Sequence, residues 1–266
     1  MDVRTINELL SRGEIDNPEM WPHLADLNQK PLKFKFEFGL DELPKEPGII
    51  IIRGPRQYGK STWLEMNLKK TVEDFGKGSA YYLNGDDINS NEDLSKLLIE
   101  LNAAFSKSTR VKRIFIDEIT AIPDWQRAVK KTIDSGLLKD VLIITTGSKA
   151  TDLRRGGERL PGRKGRLSKS EYIFLPISYA EFHKDCSKKF KEKTWVAYLL
   201  SGGSPIACNE IYSIERIPDY FVQLIRDWLF GEIVSSGRSR LSVSNVISVL
   251  YRFGGNPVGF AKLSRE

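Results

Sequence analysis

The sequence predicts an α/β protein: a five-stranded parallel sheet covered on both faces, followed by a small helical domain. Two observations predict it. Five short apolar runs are spaced along residues 49–175, and the segments between most of them carry apolar residues at helical spacing. Beyond about residue 180 the strand signals stop and only helical patterns remain. Strands that alternate with helices form parallel sheets, because each crossover lays a helix on a sheet face.

The elements follow in order. Residues 1–30 begin with a short helical pattern (Ile6, Leu9, Leu10) and continue through Pro18, Trp21, Pro22 and His23 as an irregular lead-in. Leu32, Phe34, Phe36 and Phe38 alternate with Lys33, Lys35 and Glu37, the period of a half-buried strand. Residues 41–47 form a polar connector. Ile49, Ile50, Ile51 and Ile52 make a buried strand, and the next helix places Leu64, Leu68, Val72 and Phe75 on one face until Gly76 and Gly78 stop it. Ala80 to Leu83 is the second strand. Ser90 and Asp93 resemble a capping box ahead of a helix carrying Leu94, Leu97, Leu98, Leu101 and Phe105. Residues 113–117 are the third strand. Pro123 opens a helix with Trp125, Val129 and Ile133, and Gly136 closes it. Residues 141–145 and 172–175 are the fourth and fifth strands, and helices are expected over 195–200, 219–233 and 243–251.

Bulk properties narrow the function classes. Of 266 residues, 40% are apolar and 29% charged, the balance of a folded globular chain and not of a disordered one. The net charge of +6 is a mild excess at this length and does not by itself indicate nucleic-acid binding. Cys186 and Cys208 form no C-x-x-C pair and have no histidine at ligand spacing, so a structural zinc site is not expected and free thiols are. The N-terminus lacks a signal-peptide pattern and no run reaches membrane-spanning length, so a cytoplasmic protein without membrane contact is expected.

The chemistry concentrates at Gly54-Pro55-Arg56-Gln57-Tyr58-Gly59-Lys60-Ser61, which fits G-x-x-x-x-G-K-[ST]. It stands where such a loop must stand, after a buried strand and before an amphipathic helix. Backbone N–H groups of the loop and of the helix N-terminus converge on phosphate oxygens. Gly54 and Gly59 allow close approach. Lys60 neutralises the β- and γ-phosphates, the Ser61 hydroxyl ligates Mg²⁺, and Thr62 offers a backbone N–H. ATP and Mg²⁺ are therefore the expected ligands, with adenine favoured over guanine in part because an N-K-x-D string is absent.

A second acidic element ends the third strand, Asp117-Glu118. Asp117 is expected to support the Mg²⁺ shell and Glu118 to orient and deprotonate the attacking water. That pair favours a hydrolase over a kinase, which must keep water out. Thr146 and Ser148 follow the fourth strand, and either hydroxyl is a candidate sensor of the γ-phosphate. Between residues 154 and 169 the chain carries Arg154, Arg155, Arg159, Arg163, Lys164, Arg166 and Lys169 against Glu158. Three readings stay open there: an arginine finger, acting in cis or on a neighbour's ATP in a homo-oligomer; contact with a nucleic-acid backbone; or a solvated loop. Aromatic residues are absent from the stretch, which disfavours base stacking.

The loop with Thr62 is similar to the GPRQVGKST loop of the predicted prokaryotic AAA-type ATPases. So are, in order, Phe115-Ile116-Asp117-Glu118, Pro123-Asp124-Trp125-Gln126-Arg127-Ala128, Thr146-Gly147-Ser148, Leu160-Pro161-Gly162-Arg163, Leu175-Pro176-Ile177-Ser178-Tyr179-Ala180-Glu181-Phe182 and Gly202-Gly203-Ser204-Pro205. The resemblance spans about residues 45–266. It implies a P-loop NTPase core with the nucleotide strand central, then a helical region, a winged helix and a nuclease-like domain. Tyr58 stands where Val is usual, at a variable position. Phe253-Gly254-Gly255-Asn256-Pro257 matches only the opening of the winged helix, so a truncated chain is expected. The expected organisation is a lead-in over 1–44, an ATPase core over 45–182, a lid-like helical domain over 183–240 and the start of a winged helix over 241–266. Mg-dependent ATP hydrolysis is the leading expectation, with Arg163 chosen as the finger and Arg159 and Arg166 as alternatives. A nucleotide-gated switch with little turnover is the competing one, and a small-molecule kinase a weaker third.

Overall fold

The computed structural model describes residues 1–148, 165, 167–235, 237 and 239–253. The sheet has five parallel strands: β1 (Gly48–Arg53), β2 (Ala80–Asn84), β3 (Arg113–Asp117), β4 (Leu142–Gly147) and β5 (Glu171–Ile173), in the order β2-β3-β4-β1-β5. The helices of the core are α1 (Val3–Arg12), α2 (Pro22–Gln29), α3 (Lys60–Phe75), α4 (Asn91–Ala104) and α5 (Trp125–Asp134). After β5 come α6 (Tyr179–Phe190), α7 (Thr194–Ser201) and α8 (Pro205–Ile214). The chain divides into two compact units, Met1–Glu215 and Arg216–Glu266. The second unit holds α9 (Asp219–Ser235) and α10 (Arg240–Phe253).

β1 shows why the four isoleucines are all buried. It is an interior strand, paired with β4 and β5, so both of its faces need cover. Ile49 and Ile51 pack with Leu94, Leu98, Trp125 and Val129 beneath α4 and α5. Ile50 and Ile52 pack on the opposite face with Trp63, Leu64, Leu68 and Val72 of α3. Successive strand residues point to opposite faces, so a continuous apolar run is the signature of a strand covered on both.

The lead-in belongs to that second core. Ile6, Leu10, Met20, Trp21, Phe38 and Leu40 join the α3 face. α1 is capped at its start by Asp2, which accepts from the Thr5 N–H, and ends on Gly13 in the left-handed region. It lies against the outer edge of β2, where Asn7 both donates to the Tyr82 carbonyl and accepts from the Tyr82 N–H, each at 2.8 Å. A side-chain amide thus takes the place of the missing neighbouring strand.

Two local expectations are corrected. Residues 22–29, read as irregular, form α2, with Pro22 in its first turn. Residues 32–38, read as a strand, form none and pair with no strand among the described residues. The alternation identified the buried side chains: Leu32, Phe34 and Phe38 are buried, while Lys33, Lys35 and Glu37 are exposed. The backbone partners come from side chains instead. Leu32 N–H donates to Asn209 Oδ1 at 2.9 Å, and Lys35 N–H donates to Glu181 Oε1 at 3.1 Å. Phe36 and Phe38 lie against Phe174, with ring centroids 5.1 and 4.8 Å away.

The expected free thiols are present and buried at Cys186 and Cys208. Burial pushes them up to about 12 and about 11, values at which neither is a nucleophile near neutral pH. Among the described residues no helix is long and apolar enough to cross a membrane.

Candidate functional site

The loop of residues 54–59 leaves the C-terminal end of β1 and enters α3 at Lys60. Its glycines are required by neighbours. At Gly54 an added Cβ would lie 2.8 Å from the Phe174 carbonyl oxygen. At Gly59, φ is +98°, and an added Cβ would lie 2.6 Å from the Phe36 ring. Gln57 is held at φ 60°, a left-handed conformation rare for a residue with a side chain. We expect Gly59→Ala to cost about 1–3 kcal/mol of stability from the backbone conformation and to weaken nucleotide binding. Urea unfolding and a nucleotide titration check this; unchanged values in both would refute it.

Lys60 is only 6% exposed. Its Nζ donates to the carbonyls of Gly54 at 3.0 Å and Pro55 at 2.7 Å, tying the helix to its own loop. Burial lowers its pKa, and the nearby carboxylates of Glu118 and Asp117 act in the opposite sense. Ser61 and Thr62 follow in the first turn of α3. With Gly59 and Lys60 they form one boundary of a cavity of about 380 Å³.

The two carboxylates stand at the end of β3, which the sheet order places next to β4. Thr146 and Ser148, two residues apart, therefore reach the same neighbourhood. Thr146 Oγ1 donates to Asp117 Oδ1, which also accepts from the Glu118 N–H at 3.0 Å. Glu118 sits at φ 45°, outside the strand conformation. Its Oε1 accepts from Thr120 Oγ1 at 2.5 Å, Ser148 N–H at 3.1 Å and Ser148 Oγ at 3.0 Å. Burial raises the Glu118 carboxyl, but these hydrogen bonds and Lys60 outweigh it and leave the group below the ordinary range. Arg56 Nε donates to Ser148 Oγ at 3.1 Å, joining the phosphate loop to this cluster. The Thr120 hydrogen bond to Glu118 and the Arg56 hydrogen bond to Ser148 are contacts that sequence reasoning did not assign.

Sequence reasoning also missed the walls of the cavity. His23, Asp26, Leu27 and Lys30 line it from the lead-in, together with Phe36, and Pro205, Ile206 and Asn209 line it from α8. The available signal was Pro22 ahead of Leu24 and Leu27, a helix start followed by helical spacing. A further constraint comes from Gly85: a Cβ there would lie 2.3 Å from the Glu118 carbonyl oxygen, so the turn after β2 passes directly over the acidic pair. Arg163, Arg159 and Arg166 lie outside the described residues. Within the basic stretch, Lys169 is described, and its Nζ lies 4.5 Å from the centre of the Tyr172 ring.

A parallel α/β sheet with a glycine-bounded loop between its interior strand and a helix defines a P-loop nucleotide-binding fold. A profile of the AAA domain family matches residues 46–183, just over half of the chain, and the chain belongs to that family. No curated protein sequence matches it. A Walker-type ATPase of Pyrococcus abyssi is similar in structure, with a TM-score of 0.50 and 13% identity, over 96% of this chain and 89% of its own. The Orc1 protein of Aeropyrum pernix, solved in complex with DNA, has a TM-score of 0.43 and 14% identity over 99% and 74%. A RuvB variant of Thermotoga maritima has 0.41 and 16% over 82% and 73%. At these identities the likeness is one of fold.

Proposed function

We propose that the protein binds Mg²⁺-ATP in the cavity over α3 and hydrolyses it. The observation that carries this reading is the meeting of Lys60, Asp117, Glu118, Thr146 and Ser148 at the C-terminal ends of neighbouring parallel strands. Backbone groups of Gly54, Pro55, Arg56, Gln57, Tyr58 and Gly59 wrap the phosphates, and Lys60, with the N–H groups of Ser61 and Thr62, completes the cradle.

The donor set suits magnesium. Ser61 and Asp117 offer hard oxygen ligands, and among the described residues the hydrogen bonds on Asp117 fall on Oδ1, which leaves Oδ2 for coordination. Among the described residues no cluster of three His, Cys, Asp or Glu could hold a metal alone. Magnesium takes one or two protein oxygens and completes its shell from phosphate and water. When bound, magnesium neutralises charge developing on the β- and γ-oxygens. Glu118 acts as the base that orients water, and Thr146 and Ser148 position the two carboxylates. Arg163 is proposed as the finger, which in a homo-oligomer would come from a neighbouring copy. We propose adenine as the base.

Steady-state phosphate release from ATP, with and without magnesium, tests the reading. Absence of both turnover and nucleotide retention would refute it. One observation favours the second reading, a nucleotide-gated switch: three donors already engage Glu118 Oε1, which leaves that oxygen little capacity to accept a proton from water. Retained ADP with negligible turnover is the outcome that selects the switch.

A further inference from the structure

α2 has no side-chain cap of its own, since its N-cap position is Trp21. The cap is supplied from another helix. Glu65 Oε2 accepts from the Leu24 N–H at 3.0 Å, and Oε1 accepts from the His23 N–H at 3.4 Å. The same Oε1 lies 2.6 Å from His23 Nδ1. All three hydrogen bonds between α2 and α3 end on this one carboxylate, which is itself buried at 7% exposure. A carboxylate at a helix N-terminus is favoured both by the unpaired N–H groups and by the helix dipole.

The position of Glu65 gives the cap a consequence. It lies four residues beyond Ser61, on the same face of α3. The helix it caps contributes His23, Asp26, Leu27 and Lys30 to the cavity that begins at Gly59, Lys60 and Ser61. The loop and the first turn of α3 build the phosphate-binding side of the cavity, whereas α2 supplies one part of the remaining wall, beside Phe36 and α8.

We propose that Glu65 and His23 are positioning residues that hold α2 as the nucleoside-facing wall of the site. Loss of the pair removes affinity for the nucleoside part of the ligand and spares the phosphate part. The hydrogen bond between Nδ1 and Glu65, with the charge of that carboxylate, raises the His23 pKa against the opposing effect of burial, in keeping with an imidazolium on the carboxylate. The inference rests on the reading of the cavity as a nucleotide site.

The test compares two probes, Mg²⁺-ADP and Mg²⁺-pyrophosphate, by calorimetric titration of the full chain. Pyrophosphate needs only the loop, so its failure to bind the unmodified protein overturns the nucleotide-site reading and not this inference alone. Given that it binds, Glu65→Ala is expected to weaken ADP about tenfold and leave pyrophosphate unchanged. Glu65→Gln, which keeps an acceptor for the α2 amides, is expected to restore part of the difference. His23→Gln keeps Glu65 in place and reports on the pair should Glu65→Ala fail to fold; it is expected to weaken ADP selectively by a smaller factor. A general loosening of α3 would lower both ligands together. Equal loss of both, or an ADP-to-pyrophosphate ratio unchanged in Glu65→Ala and His23→Gln, overturns the proposal.

Discussion

Lys60→Ala is expected to lower ATP affinity by roughly a hundredfold or more, because two or more charge-assisted hydrogen bonds to phosphate oxygens are lost at once. The substitution also removes the donor that the Gly54 and Pro55 carbonyls share. Those carbonyls belong to a loop at the mouth of a cavity, so water can replace the ammonium there and the fold is expected to survive. The near-complete burial of Lys60 decides how large the binding effect is. A buried ammonium has already lost most of its hydration, and its lowered pKa records that loss. In the proposed site, phosphate oxygens would restore to it what solvent no longer supplies. Lys60→Arg is not a rescue: a planar guanidinium cannot turn back on two adjacent carbonyls as a compact ammonium does. Far-ultraviolet circular dichroism and nucleotide titration on the same samples check the prediction. A folded Lys60→Ala protein with undiminished ATP affinity would mean that the loop is not the phosphate site.

The loop was legible in the sequence because its chemistry is local. Four isoleucines, two glycines and a Lys-Ser pair lie within residues 49–61, where a buried strand gives way to a loop and a helix. The acidic pair was legible for the same reason, as the end of an apolar strand. The choice between Thr146 and Ser148 was not, since it depends on strand order. With β4 beside β3, the two hydroxyls are divided: Thr146 bonds Asp117 and Ser148 bonds Glu118. Residues 32–38 show how a period-two pattern can be right about burial and wrong about pairing. The alternation records which side chains face the core. Whether the backbone bonds to another strand depends on what lies alongside, here Asn209 and Glu181, far away in sequence. The lead-in wall was hidden in the same way. Nothing in the sequence around Trp21 and Pro22 announces that its helix cap is Glu65, on the helix that follows the phosphate loop.

Glu118→Gln is expected to reduce turnover by about 10²–10⁴-fold, the range for loss of a general base, while nucleotide binding is retained. Glutamine suits the test because its amide oxygen can still accept from Thr120 and Ser148, as Glu118 Oε1 does. It has the same size and places no new demand on the left-handed backbone at this position. What changes is the ability to take a proton. The charge removed also faces Lys60, so phosphate affinity is expected to rise slightly and ATP to remain bound. Single-turnover phosphate release with the bound nucleotide identified after quenching separates the outcomes. Bound ATP that persists in the variant and is cleaved in the unmodified protein establishes Glu118 as the base. Equal rates in both would remove that role. If those equal rates were also negligible, the donors on Glu118 Oε1 would describe a carboxylate that senses nucleotide through Ser148 and Arg56, and the switch would be the function. The same three hydrogen bonds therefore serve either reading, and only the fate of the bound ATP decides whether Glu118 deprotonates water or reports on the phosphate loop.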